Sequence, residues 1–438
     1  MLPWQLLTLC AKGSLHLVLK SLPDTPTRRP VSPEADPVCT APFPWRRNIY
    51  ALYVLKLSKW LMLIMPVVAL FYNENGLDAE SIYLLQAIYS LSVAFLEIPS
   101  GYTADIIGRR KSLILGSILG TLGFIVYSVS SSFAGFAAAE LILGLGGSFI
   151  SGSDTALLFD TLDAANRREE YLRFEGRISA SGNFAETAAA ILGGLLAAAL
   201  GYRSVYVAQT LIAAIAIPAS LLLIEPPVEK VQRHPGPVHL LAVCRHALII
   251  NKPLAAAILQ SSITGICTLC MAWTAQIYFV KQGYGATIVT SLWVGLNLLL
   301  ALVSAWTPAI DRLLHPKLAL ALIAIAIPCS YIGLGLLPVI PAICLLFVFY
   351  ALRGYATPVL KNVTNQFCSS DIRATIFSIR SLIIRVGFSI LGPAIGALSG
   401  HFSLATALIC AGIVLTCLSA ASGLLLHRRL AENAATQP

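Results

Sequence analysis

The sequence predicts an all-α membrane protein of twelve transmembrane helices, built as two six-helix repeats. Three observations lead there. Of 438 residues, 57% are hydrophobic and only 12% charged, against about 25% charged in soluble domains. A chain this apolar needs lipid as its solvent. The apolar residues also come in twelve runs, each near the ~20 residues that cross ~30 Å of hydrocarbon. Finally, landmarks of the first half recur in the second.

The runs fall at 49–72, 81–101, 112–130, 134–158, 174–198, 204–224, 254–279, 286–308, 318–337, 340–360, 376–399 and 402–426. Backbone groups in lipid must satisfy each other, so these are helices. Barrel strands would be shorter and would alternate apolar with polar residues. Residues 1–47 precede them as a tail. Pro23, Pro26, Pro30, Pro33 and Pro37 interrupt any helix there, which predicts disorder. The longest connection, 226–252, separates six runs (48–225) from six (253–427), with 428–438 as a closing tail. Its middle, Val238 to Ile250, predicts a short amphipathic helix at the membrane surface.

The repeat is visible residue by residue. Asp105 is followed six residues later by Lys111 before the third run, and Asp311 by Lys317 before the ninth. Ala189–Gly194 in the fifth run and Gly392–Ala397 in the eleventh align at an offset of 203 residues, and Arg177 and Arg380 share that offset.

Charge placement fixes the expected orientation. The net charge of +9 does not gather on one face as a nucleic-acid surface would; it sits in short turns. Twenty-four of the 30 Lys and Arg lie on the side of the chain termini, and only Arg203 and Lys281 on the other. Positive charge marks the cytosolic side, so both termini are expected there.

Four basic residues lie within runs, together with four acids. Lys56 and Lys59 are in the first run, Glu97 in the second, Glu140 and Asp154 in the fourth, Glu186 in the fifth, Arg353 in the tenth and Arg385 in the eleventh. A charge at a helix centre costs about 2.5–3.5 kcal/mol, so such residues face a cavity or a partner. Lys59, Glu186 and Arg385 are nearest mid-membrane, where substrates and coupling ions sit. The others serve equally well as structural ion pairs. A desolvated carboxylate can load and release a proton at working pH; Glu186 is the first candidate, then Asp154 and Glu140. All seven His lie outside the runs, and no HExxH occurs, which argues against a histidine relay and an intramembrane metalloenzyme. The ten Cys lie mostly inside runs, as small buried hydrophobes. Neither they nor any other motif points to a metal or cofactor.

One connection stands apart. From Glu97 to Lys111 the chain reads as a tight charged turn with Gly101, Asp105, Gly108, Arg109, Arg110 and Lys111. The pattern Gly-x-x-x-Asp-x-x-Gly-Arg-Arg-Lys between membrane-length runs resembles the loop between helices 2 and 3 of the major facilitator superfamily. The resemblance implies helices 1, 4, 7 and 10 around a central cavity, with 3, 6, 9 and 12, which carry no charge here, facing lipid. It also implies a gating latch: Asp105 at the start of helix 11 near Ile376, and Arg109 on Asp160 or Asp163. The run Ser151–Asp160 resembles a bacterial subset often labelled drug or siderophore efflux. Two marks of proton-driven exporters are missing, a Gly-Pro in the fifth run and an arginine motif in the fourth. The family resemblance implies a secondary active transporter rather than an enzyme: a bacterial inner-membrane protein, expected as a monomer, whose partners are the lipid bilayer, a small-molecule substrate and protons. Proton-coupled export of a small organic molecule is expected; uptake of a small organic anion and a non-transporting sensor are the alternatives.

Overall fold

The computed structural model describes residues 43–227, 243–368 and 373–435. Among them the chain crosses the bundle twelve times and contains no strand. Span 1 is Trp45–Trp60 followed, after a break, by Val68–Glu74. Spans 2 and 3 are Ala79–Ile107 and Arg109–Val129; span 4 is Phe133–Ile150 with Ser153–Ala164; spans 5 and 6 are Tyr171–Leu200 and Tyr202–Leu221. Spans 7 and 8 are Lys252–Lys281 and Ala286–Leu313. Span 9 combines Pro316–Ala321, one π-helical turn at Leu322–Ala326, and Ile327–Leu336. Spans 10, 11 and 12 are Val339–Gln366, Arg373–His401 and Leu404–Ala435. Ten helices among the described residues are long and apolar enough to cross a membrane. The remaining passes are the broken span 1 and span 5, whose apolar part is Phe184–Leu200.

Several boundaries differ from the sequence expectation. The expected charged turn is almost wholly helical: span 2 runs through Pro99 to Ile107, Gly108 alone leaves the helix with φ +100°, and span 3 begins at once. A 29-residue helix is about 43 Å long, so its charged end clears the hydrocarbon without needing a loop. A Cβ at residue 108 would also press on the Glu225 carboxylate, 3.3 Å away. Span 1 starts inside the expected tail, because buried Asn48 donates to Thr161 Oγ1 (3.0 Å) and to the Ile224 carbonyl (2.8 Å). Span 12 continues to Ala435, past the expected end at 427. The predicted tail up to residue 42 and the linker over 228–242 lie outside the described residues; His246–Ile250 is a π-helical turn leading to the Asn251 cap of span 7.

Helix starts are capped as the sequence allows. Asp78 accepts the Ser81 amide at 2.9 Å, and that bond holds its carboxyl below the usual range. Within the first half, spans 3 and 4 pack along one another, as do spans 3 and 6. The halves meet along spans 2 and 11 and along spans 5 and 8, the pairing expected of two parallel repeats. The two glycines that align at the 203-residue offset, Gly193 and Gly396, both permit close approaches. A side chain on Gly396 would lie 2.7 Å from the Glu80 backbone across this seam, and one on Gly193 would collide with the Leu63 carbonyl within the first half.

Candidate functional site

The site grows from the break in span 1. Helical hydrogen bonding stops at Leu61, and the chain turns through to Val67 before it resumes. Freed backbone groups inside a membrane bundle must find other partners. Two glutamines supply them. Gln209 of span 6 accepts the Leu63 amide at 2.8 Å. Gln276 of span 7 accepts the Ala69 amide at 3.4 Å and donates to the Met65 carbonyl at 2.9 Å. Both glutamines are only 1% exposed.

Beside the break lies a cavity of about 440 Å³. Met62, Ile64 and Met65 of the unwound segment line it, with Lys59, Gln86, Tyr89, Phe124 and Glu140. The second half contributes only Leu269, Trp273 and Arg385. This corrects the expected lining by helices 1, 4, 7 and 10. Spans 3 and 6 take part, span 10 does not, and the cavity sits mostly within the first half. Small residues explain the difference: Gly116 and Gly146 let spans 3 and 4 touch, while Gly120 and Gly147 leave room beside the broken helix.

Glu140 is 5% exposed and reaches the cavity wall. Three donors converge on its Oε1: Tyr127 Oη at 2.6 Å, Gln86 Nε2 at 2.8 Å and Tyr72 Oη at 3.2 Å. The two tyrosine hydroxyls are themselves 2.5 Å apart. Among the described residues no donor reaches Oε2. A buried carboxylate held at one oxygen, with the other free, is a place to put a proton.

The other predicted charges divide. Lys59 and Arg385 line the cavity from opposite halves. Lys56, 7% exposed, is committed to Glu175 (3.2 Å) and Asp154 (3.6 Å). That triad ties span 1 to spans 4 and 5, so Lys56 and Asp154 do not line the cavity. Glu186 does not line it either; its carboxylate is exposed and feels the charge of Arg353 across the seam. Arg353 stacks over Tyr350 of its own span, 5.4 Å from the ring centroid.

At the terminal end, Arg109 makes a salt bridge with Asp160. Arg110 donates to the Leu221 carbonyl at 3.1 Å. Lys111 is exposed, and Glu97 makes no side-chain hydrogen bond among the described residues. The side chain of Asp105, and Gly101 beside it, lie outside the described set, so the expected contact with Ile376 does too. The cap of span 3 comes instead from Glu225, whose oxygens accept the amides of Arg109 (2.9 Å) and Arg110 (2.8 Å). Anions are favoured at a helix N-terminus.

Sequence reasoning missed Glu175, Glu225, Gln209, Gln276 and the tyrosines around Glu140. Glu175 was within reach, since it lies one residue inside the fifth apolar run. The neutral partners had no charge to single them out.

Hydrogen bonds cross between the halves from mid-bundle to the far end. They join Gln276 to Met65 and Ala69, Tyr83 to Thr274 (2.6 Å) and Ser389 to the Ala87 carbonyl (3.4 Å). The seam is closed opposite the chain termini.

Comparison with known proteins agrees with this architecture. Multidrug resistance protein Stp of Mycobacterium tuberculosis (strain CDC 1551 / Oshkosh) is 27% identical over 206 residues, covering 47% of this chain and 36% of that protein. Drug efflux pump JefA of the same strain is 32% identical over 127 residues, 29% of this chain and 24% of that one. The chain thus spans about a third or less of the length of these curated relatives. Among solved structures, the nucleoside transporter NupG superposes with TM-score 0.68 at 15% identity, covering 87% of this chain and 98% of its own. A bacterial homolog of the human lysosomal transporter Spinster, inward-facing and unoccupied, gives TM-score 0.70 at 16% identity over 88% and 97%. The family model described as Major Facilitator Superfamily matches residues 57–359. The chain belongs to the Major Facilitator Superfamily.

Proposed function

We propose that this transporter exports a small organic molecule from the cytosol by alternating access, driven by protons. The carrying observation is the cavity beside the broken first helix, walled by both halves and closed over at the end away from the termini. With the termini cytosolic, as the basic turns suggest, this is the inward-facing state, ready to load from the cytosol. The efflux names of the mycobacterial relatives favour export, although each match covers a minority of either chain.

Glu140 is the proton carrier in this scheme, ahead of Glu186. It combines burial, a place on the cavity wall and an oxygen without a donor. Asp154 is tied to Lys56, and Glu186 is outside the cavity. Loading a proton on Oε2 would neutralise the carboxylate, and release to the other side would follow the rocking of the halves.

The test uses proteoliposomes holding a trapped pH dye, with a panel of drugs and siderophores added on either side. A transported compound should move protons in the opposite direction in the wild type. Glu140→Gln should still exchange the compound down its own gradient but move no protons. Proton flux that survives Glu140→Gln would remove Glu140 from the mechanism, and protons moving with the compound would turn export into uptake.

A further inference from the structure

The wall of the cavity carries two cations from opposite halves. Lys59 enters from span 1 and Arg385 from span 11. Among the described residues neither has a carboxylate within salt-bridge reach. Of the two acids nearby, Asp154 is paired with Lys56 (3.6 Å), and Glu140, held on one oxygen by two tyrosines and a glutamine, forms no ion pair with either cation. Arg385 is half-buried, and its Nε is buried with no hydrogen-bond partner among the described residues. A buried donor left unmade is costly. Such a group is retained where something outside the fold completes it.

The remaining wall says what else that something needs. Met62, Met65, Phe124, Leu269 and Trp273 give it a large apolar surface. The volume of about 440 Å³ lies in the range of small-molecule sites, ~300–1,000 Å³. From this geometry we infer that the cargo is an amphipathic organic anion: an apolar, ring-bearing body with a carboxylate, sulfonate or phosphate head held between Lys59 and Arg385. A cationic drug would meet two like charges, against the single carboxylate of Glu140.

The placement also connects binding to movement. Lys59 belongs to the first half and Arg385 to the second, so in the empty protein their repulsion opposes approach of the halves. An anion between them reverses the sign. Arg385 supplies a planar fork for the anionic head, and Lys59 a mobile point charge.

This inference rests on the transporter reading for the cavity being a cargo site, but it is tested without any gradient. Radiolabelled naphthylacetate, naphthylmethylammonium and naphthylethanol share one ring and differ in head charge. Each is equilibrated by dialysis with the full-length protein in nanodiscs of zwitterionic lipid, with empty nanodiscs as the blank. Naphthylacetate should bind at least about tenfold more tightly than naphthylmethylammonium, the size expected when a charge-assisted hydrogen bond is made rather than refused. Arg385→Gln and Lys59→Gln should each remove most of that preference while leaving naphthylethanol unchanged; Lys361→Gln, away from the cavity, should leave the preference intact. Where a Gln variant does not fold, Lys59→Arg keeps the charge and should keep the anion preference. Equal or tighter binding of the ammonium, or an unchanged preference in both Gln variants, overturns the assignment. Failure of proton coupling with the preference intact would sink the export mechanism and leave the cargo class standing.

Discussion

At the scale of single residues, the terminal end shows how a charged motif becomes a structure. Arg109 and Asp160 pair between spans 3 and 4, and Glu225 closes the start of span 3. A double-mutant cycle on Arg109→Gln and Asp160→Asn should give a coupling of about 1 kcal/mol or more, since the pair is partly buried and hydrogen-bonded. Thermal melts of the four proteins in detergent measure it; strictly additive shifts would mean the pair contributes nothing to the folded state. The sequence displayed the charged members of this cluster because lipid makes charge conspicuous. It displayed Lys59 and Arg385 for the same reason. What it hid was each partner's identity: Lys56 turns to Glu175, and Glu140 turns to Tyr72, Tyr127 and Gln86. Neutral polar residues are common in helices, and only the three-dimensional register tells which of them faces a carboxylate.

At the scale of elements, the fold was legible in its number of passes and in its repeat, because apolar run length and the spacing of landmarks are one-dimensional properties. The break in span 1 was not. Pro66 was a local sign of it, since it has no N–H to donate and crowds the preceding turn, but nothing local announces that Gln209 and Gln276 stand ready to take over the freed backbone bonds. The glycine at 193 was noticed, but its reason is the unwound segment that it touches. Gly193→Ala should therefore lower stability by about 1–3 kcal/mol, the cost of overpacking. Gly120→Ala offers the contrast. Nothing lies within 4 Å of its added methyl, so a helix interior gains up to about 1 kcal/mol from Ala over Gly. Melting temperatures of the two variants should move in opposite directions; a fall for both would mean that span 3 closes on the cavity more tightly than it does here.

At the scale of the whole molecule, the two bundles lean together at one end. A Cβ at Gly400 would lie 3.8 Å from Glu80 Oε2, so a Glu80→Cys/Gly400→Cys pair in a background without native cysteines should be joined by a short bifunctional thiol reagent in the resting protein. The tethered protein should be unable to open its far side. Ser90→Cys on the cavity wall should then still react with a membrane-impermeant thiol reagent from the terminal side, and not from the other. Labelling from the far side of the untethered, unliganded protein would show that the resting conformation is the opposite one.

Gln276 holds the later part of the irregular stretch in the first helix, at Met65 and Ala69, while belonging to the other bundle. A guest that straightens or bends that stretch therefore tugs directly on its neighbour's scaffold. News of occupancy reaches the distant bundle through one amide group, before any wall of the chamber has had to shift.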